Sequence, residues 1–384
     1  MIYLDYSATT PVDSRVVDAM TPFFNASFGN PSSVHRFGQI AESAIDSARE
    51  SVAHVLNCKP EEIIFTSCGS ESDNLAIRGA AYAMREKTGA KWILASRAEH
   101  PAVTKTLEHL EKYEGFLIEW LDVDERGLVT PETVAKAICN DTALVSVMYA
   151  NNEIGTVNPI KAIAEICRAN KILFHTDAVQ AAAYLPVNVD ALGVDMMSLG
   201  AHKFYGPKGV GALYVRKGTP LVSHLTGGGQ EYNLRAGTQN VPYIVGFAEA
   251  LRLVNEEREE RVAHVKPLRD KIIGTVLEII PDSQLTGDLE TRLPHHASFV
   301  FKNLDGNLLL TLLDTAGFAC SSGSACKTGN PEPSEVMNAI GLTREWGLGS
   351  LRVSLGKDTS PEDIEAFLTV LPGLVDKARK LIEM

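Results

Sequence analysis

Between residues 60 and 255, short runs of β-branched and other apolar residues alternate with longer segments that have the periodicity of a helix. Most of these runs are apolar almost throughout, as expected for strands that are covered on both faces. This alternation is typical of a mostly parallel sheet with helices on both sides. The predicted strands are Ile63–Phe65, Trp92–Leu94, Ala143–Tyr149, Ile172–Phe174, Met196–Leu199 and Val210–Val215. We therefore expect an α/β protein built on a large central sheet.

The pattern changes after a charge-dense segment, residues 255–261, which we predict to be a helix that connects two domains. Beyond it, short strands at Ser298–Phe301 and Leu351–Leu355 lie between helices, which is typical of a smaller α+β domain. A solvated helix face within one domain would explain the same segment. The predicted division is a large domain of residues 15–255 and a small domain of residues 1–14 and 256–384.

Composition excludes several classes of protein. The chain has 36 Lys plus Arg against 48 Asp plus Glu, and its formal net charge of -12 would repel the phosphate backbone of nucleic acid. We find neither a signal-peptide pattern nor an apolar window long enough for a membrane span, which predicts a cytoplasmic protein with no membrane partner. The six cysteines are too sparse for a disulfide framework, and none forms the C-x-x-C pair typical of zinc sites. We expect free thiols.

Residues 65–74 follow a predicted strand and open a helix, with Gly69 and Ser70 near its start. Unpaired backbone N–H groups and the positive end of the helix dipole favour a phosphate at such a place. Ser70 as a simple N-cap explains the same residues. The sequence contains neither a Walker A motif nor the G-x-G-x-x-G motif, which weakens the case for a nucleotide.

Two charged residues follow predicted strands directly. Asp177 stands at the edge where open α/β sheets bind ligands, and its carboxylate could hold a cationic ring nitrogen, although an ordinary helix cap would also explain it. Lys203 lies among residues that we expect to be too small or too rigid for a helix. A lysine buried there is costly unless it is paired or bonded covalently as a Schiff base. A lysine on a surface loop is the alternative.

Residues 319–331 are small, polar and rich in Gly and Ser, which predicts a flexible loop that presents Cys326. Lys327 beside it would favour the thiolate form of that cysteine. Cys320 ends an apolar run, and we expect it to be buried.

In this order and spacing, these segments resemble the cysteine desulfurases of the NifS/IscS type, which are pyridoxal 5'-phosphate enzymes of fold type I, the aspartate-aminotransferase fold. The resemblance runs nearly end to end, through residues 4–11, 28–33, 150–156 and 351–356. It implies conversion of L-cysteine to L-alanine, with the sulfur carried as a persulfide on Cys326 to an acceptor such as an iron–sulfur scaffold. A selenocysteine lyase or another lyase of the same fold stays open, as does a non-catalytic sulfur-assembly scaffold.

The resemblance also implies a role for individual residues. Lys203 would bond to the cofactor and move a proton, and Arg352 would bind the substrate carboxylate beside Asn152. His100 would stack on the cofactor ring and shuttle protons, and Thr238 would reach the phosphate from the second subunit of a homodimer. A satisfied core histidine and a structural ion pair are the alternatives for His100 and Arg352. The remaining residues implied to contact the cofactor are Gly69, Ser70, Asp177, Gln180, Gly200 and His202.

Gly200 is a departure from the family pattern. Most relatives carry a serine there, and its hydroxyl bonds to the phosphate. The glycine removes that donor, so we predict weaker retention of the cofactor.

Overall fold

The computed structural model describes residues 1–322 and 332–383. Its strands are β1 (Ile2–Tyr3), β2 (Ile63–Thr66), β3 (Trp92–Ser96), β4 (Leu117–Leu121), β5 (Thr142–Ser146), β6 (Leu173–Asp177), β7 (Met196–Gly200), β8 (Gly211–Val215), β9 (Ser283–Leu285), β10 (His296–Phe301), β11 (Phe318–Ala319) and β12 (Ser350–Ser354).

The helices are α1 (Ser14–Met20), α2 (Pro22–Asn25), α3 (Arg36–Leu56), α4 (Gly69–Thr88), α5 (Pro101–Glu114), α6 (Pro131–Ala137), α7 (Ile160–Ala169), α8 (Val189–Leu192), α9 (Val241–Glu256), α10 (Arg258–Ile279), α11 (Gly306–Thr315), α12 (Glu335–Ala339), α13 (Arg344–Gly347) and α14 (Pro361–Glu383). Short 3-10 helices lie at Pro60–Glu62, Ala201–Lys203 and Glu231–Asn233.

The largest sheet has seven strands in the order β2-β8-β7-β6-β5-β3-β4. The strands from β7 to β4 in that order run parallel, and β8 pairs antiparallel with both β7 and β2. Every residue of β2, β5, β7 and β8 is buried, as their apolar runs predicted. The prediction of an α/β protein with a large, mostly parallel sheet is confirmed.

Helices cover both faces of this sheet, and β2 shows how. Ile63 and Phe65 belong to one apolar core, which also contains Phe247 of α9. Ile64 points the other way and belongs to a second core with Leu75 of α4 and Leu107 of α5. Because successive strand residues face opposite sides, a continuous apolar run can fill two cores at once.

A smaller sheet follows in the chain. Its antiparallel order is β12-β10-β9, and a separate parallel pair joins β1 to β11. The predicted single helix at residues 255–261 is wrong, because α9 ends at Glu256 and α10 begins at Arg258. Glu257, between them, has non-helical backbone angles, and its carboxylate accepts hydrogen bonds from Arg15 and Arg261. The domain boundaries stay a prediction.

We also searched the helices of the described residues for a membrane span. None of them combines the length and the apolar character that crossing a bilayer requires.

Candidate active site

A pocket of about 290 Å³ opens at the carboxyl ends of β6 and β7. The carboxyl edge of parallel strands is where open α/β sheets bind ligands. The predicted site residues that line it are Gly69, Ser70, His100, Asn152, Asp177, Gln180, His202, Lys203 and Arg352. Ser7, Ala8, Asp73 and Met148 also line it, and the sequence analysis did not assign them.

Lys203 ends the 3-10 helix that follows β7, so the expectation of a non-helical segment was wrong. Its Nζ donates hydrogen bonds to the carbonyl oxygens of Ser7 (2.7 Å) and Ala8 (2.8 Å). Burial lowers the pKa of Lys203 to about 8, and the positive charge of Arg352 contributes to the same shift. Near pH 8 about half of this amine is therefore unprotonated, and at pH 7 roughly a tenth is, and this fraction can act as a nucleophile or a base.

Asp177 is the last residue of β6 and is 5% exposed. Its Oδ1 accepts a hydrogen bond from the Val179 backbone N–H (2.8 Å), which forms a turn; the next helix starts only at Val189. Asp177 is therefore not an ordinary helix cap. Burial raises the pKa of Asp177, whereas the nearby charges of His100 and Lys203 lower it. A cationic group in the pocket would stabilise the ionised carboxylate further.

His100 is the N-cap of α5. Its Nδ1 accepts a hydrogen bond from the Ala102 backbone N–H (3.1 Å), so the proton of the neutral ring resides on Nε2. Burial lowers the pKa of His100, and the nearby Asp177 partly opposes that effect. The imidazole is therefore neutral near pH 7, with one N–H to donate.

The first turn of α4 forms one wall of the pocket. Its N-cap is Cys68 and Ser70 is the second helical residue, so the N-cap interpretation of Ser70 is wrong. Among the described residues, the Cys68 side chain makes no capping hydrogen bond. The backbone N–H groups in the first turn of this 20-residue helix can therefore donate to another acceptor. Gly200 adjoins them, since a Cβ built on it would lie 3.4 Å from the Gly69 nitrogen.

His202 lies beside this helix start and lines the same pocket. Its Nδ1 is 3.2 Å from the Thr9 hydroxyl. Burial lowers the pKa of His202 to about 4, with the charge of Lys203 adding to the effect, so its ring is neutral at physiological pH. It can offer a hydrogen bond, but not a charge, to an anion at the start of α4.

Residues 5–10, which we call the N-terminal segment, hold several of the pocket residues. The Ser7 carbonyl oxygen accepts from Gln180 Nε2 (2.9 Å) as well as from Lys203. Thr10 contributes its hydroxyl to the carbonyl oxygen of His202 (3.1 Å). The segment therefore fixes three groups of the pocket, chiefly through its backbone.

Arg352 lies on β12 with 8% of its side chain exposed. Its Nη2 donates to Asp5 Oδ1 (2.8 Å) and its Nη1 donates to the Asn152 carbonyl oxygen (2.8 Å). His296 Nε2 lies 3.2 Å from the same carbonyl oxygen. Arg352 therefore forms the structural ion pair that the sequence analysis gave as an alternative. It also lines the pocket.

Beneath the pocket lies a buried polar network. His175 bridges the hydroxyls of Ser146 and Ser198 (both 2.9 Å), and its Nε2 is 3.6 Å from Asp73 Oδ1. Burial lowers the pKa of His175 to about 3, and burial raises the pKa of Asp73. Burial also raises the pKa of Glu99, and the charge of Asp177 adds to both carboxyl shifts. Burial therefore favours the uncharged forms of His175, Asp73 and Glu99 around the Asp177 carboxyl.

Among the described residues, two predicted ones do not line this pocket: Gly200, which adjoins the start of α4, and Thr238. Thr238 is exposed and lines a separate cavity of about 210 Å³ with Ser67 and Arg235. Cys326 lies outside the described residues. The residues that precede Cys326 in the sequence contact the strand that carries Arg352. There, the Ser321 carbonyl oxygen accepts a hydrogen bond from the Arg352 backbone N–H (2.7 Å).

Cys320 is partly buried rather than fully buried, and burial raises the pKa of its thiol. On the far side of the segment that contains Cys326, the Ser334 hydroxyl donates to Glu153 Oε2 (2.5 Å). Glu153 follows Asn152 in the chain, so this contact also ends next to the pocket.

The side chains of the pocket fit pyridoxal phosphate. A partly buried lysine of lowered pKa suits an aldehyde, the free first turn of α4 suits a phosphate, and the buried carboxyl of Asp177 suits a protonated ring nitrogen. These groups line one pocket of about 290 Å³, with Arg352 left for a carboxylate.

Comparisons with known proteins agree with this chemistry. Residues 2–367 match the aminotransferase class-V family. The chain is 47% identical over 380 residues to the cysteine desulfurase IscS of Dictyoglomus turgidum, covering 99% of this chain and 96% of that protein. It is 46% identical over 380 residues to the cysteine desulfurase IscS of Methanosarcina thermophila, covering 99% and 93%. A solved NifS-like protein superposes with a TM-score of 0.91 at 38% identity, covering 98% of this chain and 99% of that chain.

Proposed function

This chain belongs to the aminotransferase class-V family and is a pyridoxal-phosphate-dependent cysteine desulfurase, and we propose that the pocket bounded by Lys203, Asp177 and Arg352 is its active site. The observation that carries this assignment is one pocket that is lined by a partly buried amine, whose pKa is lowered to about 8, and by a buried carboxyl. When bound there, the cofactor supplies an electron sink for the bond between Cα and its hydrogen.

The first turn of α4 would hold the phosphate through Gly69 and Ser70, with His202 beside them. Asp177 would keep the ring nitrogen protonated, since a cationic ring in contact with its buried carboxyl would stabilise the ionised form. Gln180, fixed by the Ser7 carbonyl oxygen, would donate to the ring hydroxyl. His100 would cover the ring face with a neutral imidazole.

Lys203 would both anchor the cofactor and act as the base. With substrate bound, its free amine would be basic enough to take the Cα proton near pH 8. The carbonyl oxygens of Ser7 and Ala8 then stabilise the ammonium that forms. Arg352 would bind the substrate carboxylate with two hydrogen bonds, beside Asn152.

The substrate is L-cysteine, and its sulfur passes to an acceptor protein. In the proposed transfer, the Cys326 thiolate attacks the substrate sulfur and the bond between Cβ and sulfur breaks, with its electrons returning to the carbon skeleton. That skeleton takes up protons and leaves as L-alanine, so L-cysteine and a thiol become L-alanine and a persulfide. The contacts of Ser321 and Ser334 support this role, since they tie both flanks of the Cys326 segment to residues beside the pocket.

An apolar surface patch supports a homodimer. The exposed fraction of Val34 is 92% and that of Phe28 is 67%, and Phe24, Phe37 and Ile40 are exposed in the same α2–α3 region. The rings of Phe28 and Phe37 lie 5.8 Å apart, and exposed apolar side chains that cluster in this way mark interaction sites. In such a dimer, the exposed Thr238 would contribute to the pocket of the partner subunit.

The acceptor is proposed to be an iron–sulfur scaffold protein, which would place the chain in iron–sulfur cluster assembly. A cytoplasmic location is proposed with it. The described cysteines are free thiols, as expected in a reducing compartment.

Incubation with L-cysteine tests the assignment. The protein loaded with cofactor is expected to release L-alanine and to gain the mass of one sulfur atom, and Cys326→Ala is expected to lose both. Cys320→Ala is the matched control, because this nearby thiol is partly buried and its pKa is raised; it should still gain sulfur. Turnover of cysteine by Cys326→Ala at the original rate would point to a selenocysteine lyase or another lyase. A protein that binds no cofactor through Lys203 would be a scaffold.

A further inference from the structure

Arg352 has two protein partners on its guanidinium group. Its Nη2 donates to Asp5 and its Nη1 donates to the Asn152 carbonyl oxygen, each over 2.8 Å. Its Nε is buried and has no hydrogen-bond partner among the described residues. A carboxylate that binds arginine through two hydrogen bonds uses either the Nη1–Nη2 edge or the Nε–Nη2 edge. Nη2 belongs to both edges, so Asp5 holds the nitrogen that such a ligand also needs.

The ion pair between Asp5 and Arg352 is sheltered from water. The two side chains are 17% and 8% exposed. Mobile ions screen such a pair weakly, so a second carboxylate on Arg352 is repelled by the charge of Asp5. A buried guanidinium without any anion is also unfavourable, because nothing offsets its lost hydration. The site therefore favours one carboxylate on Arg352 at a time.

The backbone of Asp5 is fixed close to β12, the strand that carries Arg352. Asp5 forms a parallel bridge with Ser354, and the Tyr6 N–H donates to the Ser354 carbonyl oxygen (3.4 Å). On the other side, β1 pairs with β11. Asp5 therefore stays within reach of Arg352 when their ion pair opens, and the pair can form again without a large movement of the chain.

We propose that Asp5 exchanges with the amino-acid carboxylate on Arg352 and thereby limits how tightly substrate and product bind. This rests on the proposed function, in which Arg352 binds the carboxylate of cysteine. Substrate and product carry the same carboxylate, so strong binding of cysteine at Arg352 also means strong binding of L-alanine. Competition from Asp5 weakens both, and Asp5 pairs with the guanidinium again as L-alanine leaves. Arg352 is thus never left without an anion.

The test compares two ligands of the cofactor-loaded enzyme: L-alanine and ethylamine, which is L-alanine without its carboxylate. Binding is followed by the change in cofactor absorbance. Asp5→Asn keeps an oxygen that can accept from Arg352 but removes the charge. We expect this variant to bind L-alanine at least about tenfold more tightly, with unchanged affinity for ethylamine. The KM for cysteine should fall, and inhibition by L-alanine should strengthen.

Tyr3→Phe is the matched control. The Tyr3 hydroxyl donates to the carbonyl oxygens of Asp5 (3.0 Å) and Thr9 (2.9 Å), so this variant loosens the same stretch of chain but keeps the Asp5 charge. Both ligand affinities should stay at the wild-type value. If Asp5→Asn does not fold, Asp5→Ser, which also lacks the charge, should bind L-alanine more tightly in the same comparison.

Unchanged or weaker L-alanine binding by Asp5→Asn overturns the proposal, since Asp5 would then only brace Arg352. An equal gain for L-alanine and ethylamine overturns it as well, because the carboxylate would not be what competes. Arg352→Gln tests the proposed function separately. If that variant binds L-alanine as well as the wild type does, the assignment of Arg352 fails whatever Asp5 does.

Discussion

Replacing Gly200 by serine should tighten the binding of the cofactor. Gly200 has extended backbone angles (φ -140°, ψ 116°) that serine adopts without strain. A Cβ at this position would lie 3.4 Å from the Gly69 nitrogen and 3.4 and 3.6 Å from the two methyl groups of Val179, which are ordinary contacts. The position therefore accepts a Cβ beside the first turn of α4, where we propose that the phosphate binds and where the serine hydroxyl would donate to it.

The size of the effect follows from the kind of hydrogen bond that is added. A hydroxyl that donates to a charged phosphate oxygen contributes about 1.5–3 kcal/mol. At about 1.4 kcal/mol for each factor of ten, this predicts cofactor binding that is roughly 10- to 150-fold tighter. The new Cβ also restricts the unfolded chain, which stabilises the protein by about 0.5–1 kcal/mol without involving the cofactor.

The dissociation constant of pyridoxal phosphate, measured by equilibrium dialysis of the wild type and of two variants, checks this prediction. Gly200→Ala is the matched control, because it adds the Cβ and its effect on the unfolded chain but no hydroxyl. We expect Gly200→Ser to bind the cofactor at least about tenfold more tightly than Gly200→Ala does. Equal affinities of the two variants would refute the reasoning.

Two further predictions concern stability. Glu231 forms a buried ion pair with Arg49 through two contacts of 2.8 Å. Glu231→Gln should therefore lower the free energy of unfolding, measured in urea titrations, by about 3–5 kcal/mol, and a loss below about 1 kcal/mol would contradict this. Burial raises the pKa of Glu153 from 4.5 to about 7, so the folded state binds its proton more tightly than the unfolded state does. That contribution to stability is complete below pH 4.5 and is lost as the pH rises through about 7. Glu153→Gln should flatten this slope in urea titrations between about pH 4 and about pH 8, and an unchanged slope would count against it.

The strands of the large sheet could be predicted wherever both of their faces are buried. The exception is β4, which the sequence analysis missed. Within the described residues it pairs with β3 alone, at the edge of the sheet, and its Leu117 and Glu119 are exposed. An edge strand needs no continuous apolar run, so its residues carry little signal. Strand order and the antiparallel position of β8 are set by tertiary packing, which the local pattern does not encode.

The candidate site was predictable to the extent that its chemistry resides in side chains. Lys203 and Asp177 stand out in the sequence because a charge directly after an apolar strand is unusual, and the resemblance to a family supplied His100 and Gln180. Ser7 and Ala8 contribute backbone carbonyl oxygens, which every residue has, so no residue type marks them. The pairing of Asp5 with Arg352 joins positions 347 residues apart, and no local pattern reveals such a contact.

The N-terminal segment has a consequence for how this enzyme is made. Its residues leave the ribosome long before their partners do, because Lys203 is translated roughly 200 residues later and Arg352 and Ser354 follow roughly 350 residues later. Contacts between residues so far apart in sequence form slowly, because the chain must lose the entropy of closing a large loop before these contacts stabilise it. Until translation has passed Ser354, Lys203 and Arg352 cannot both be held in place, so a nascent chain carries no working active site.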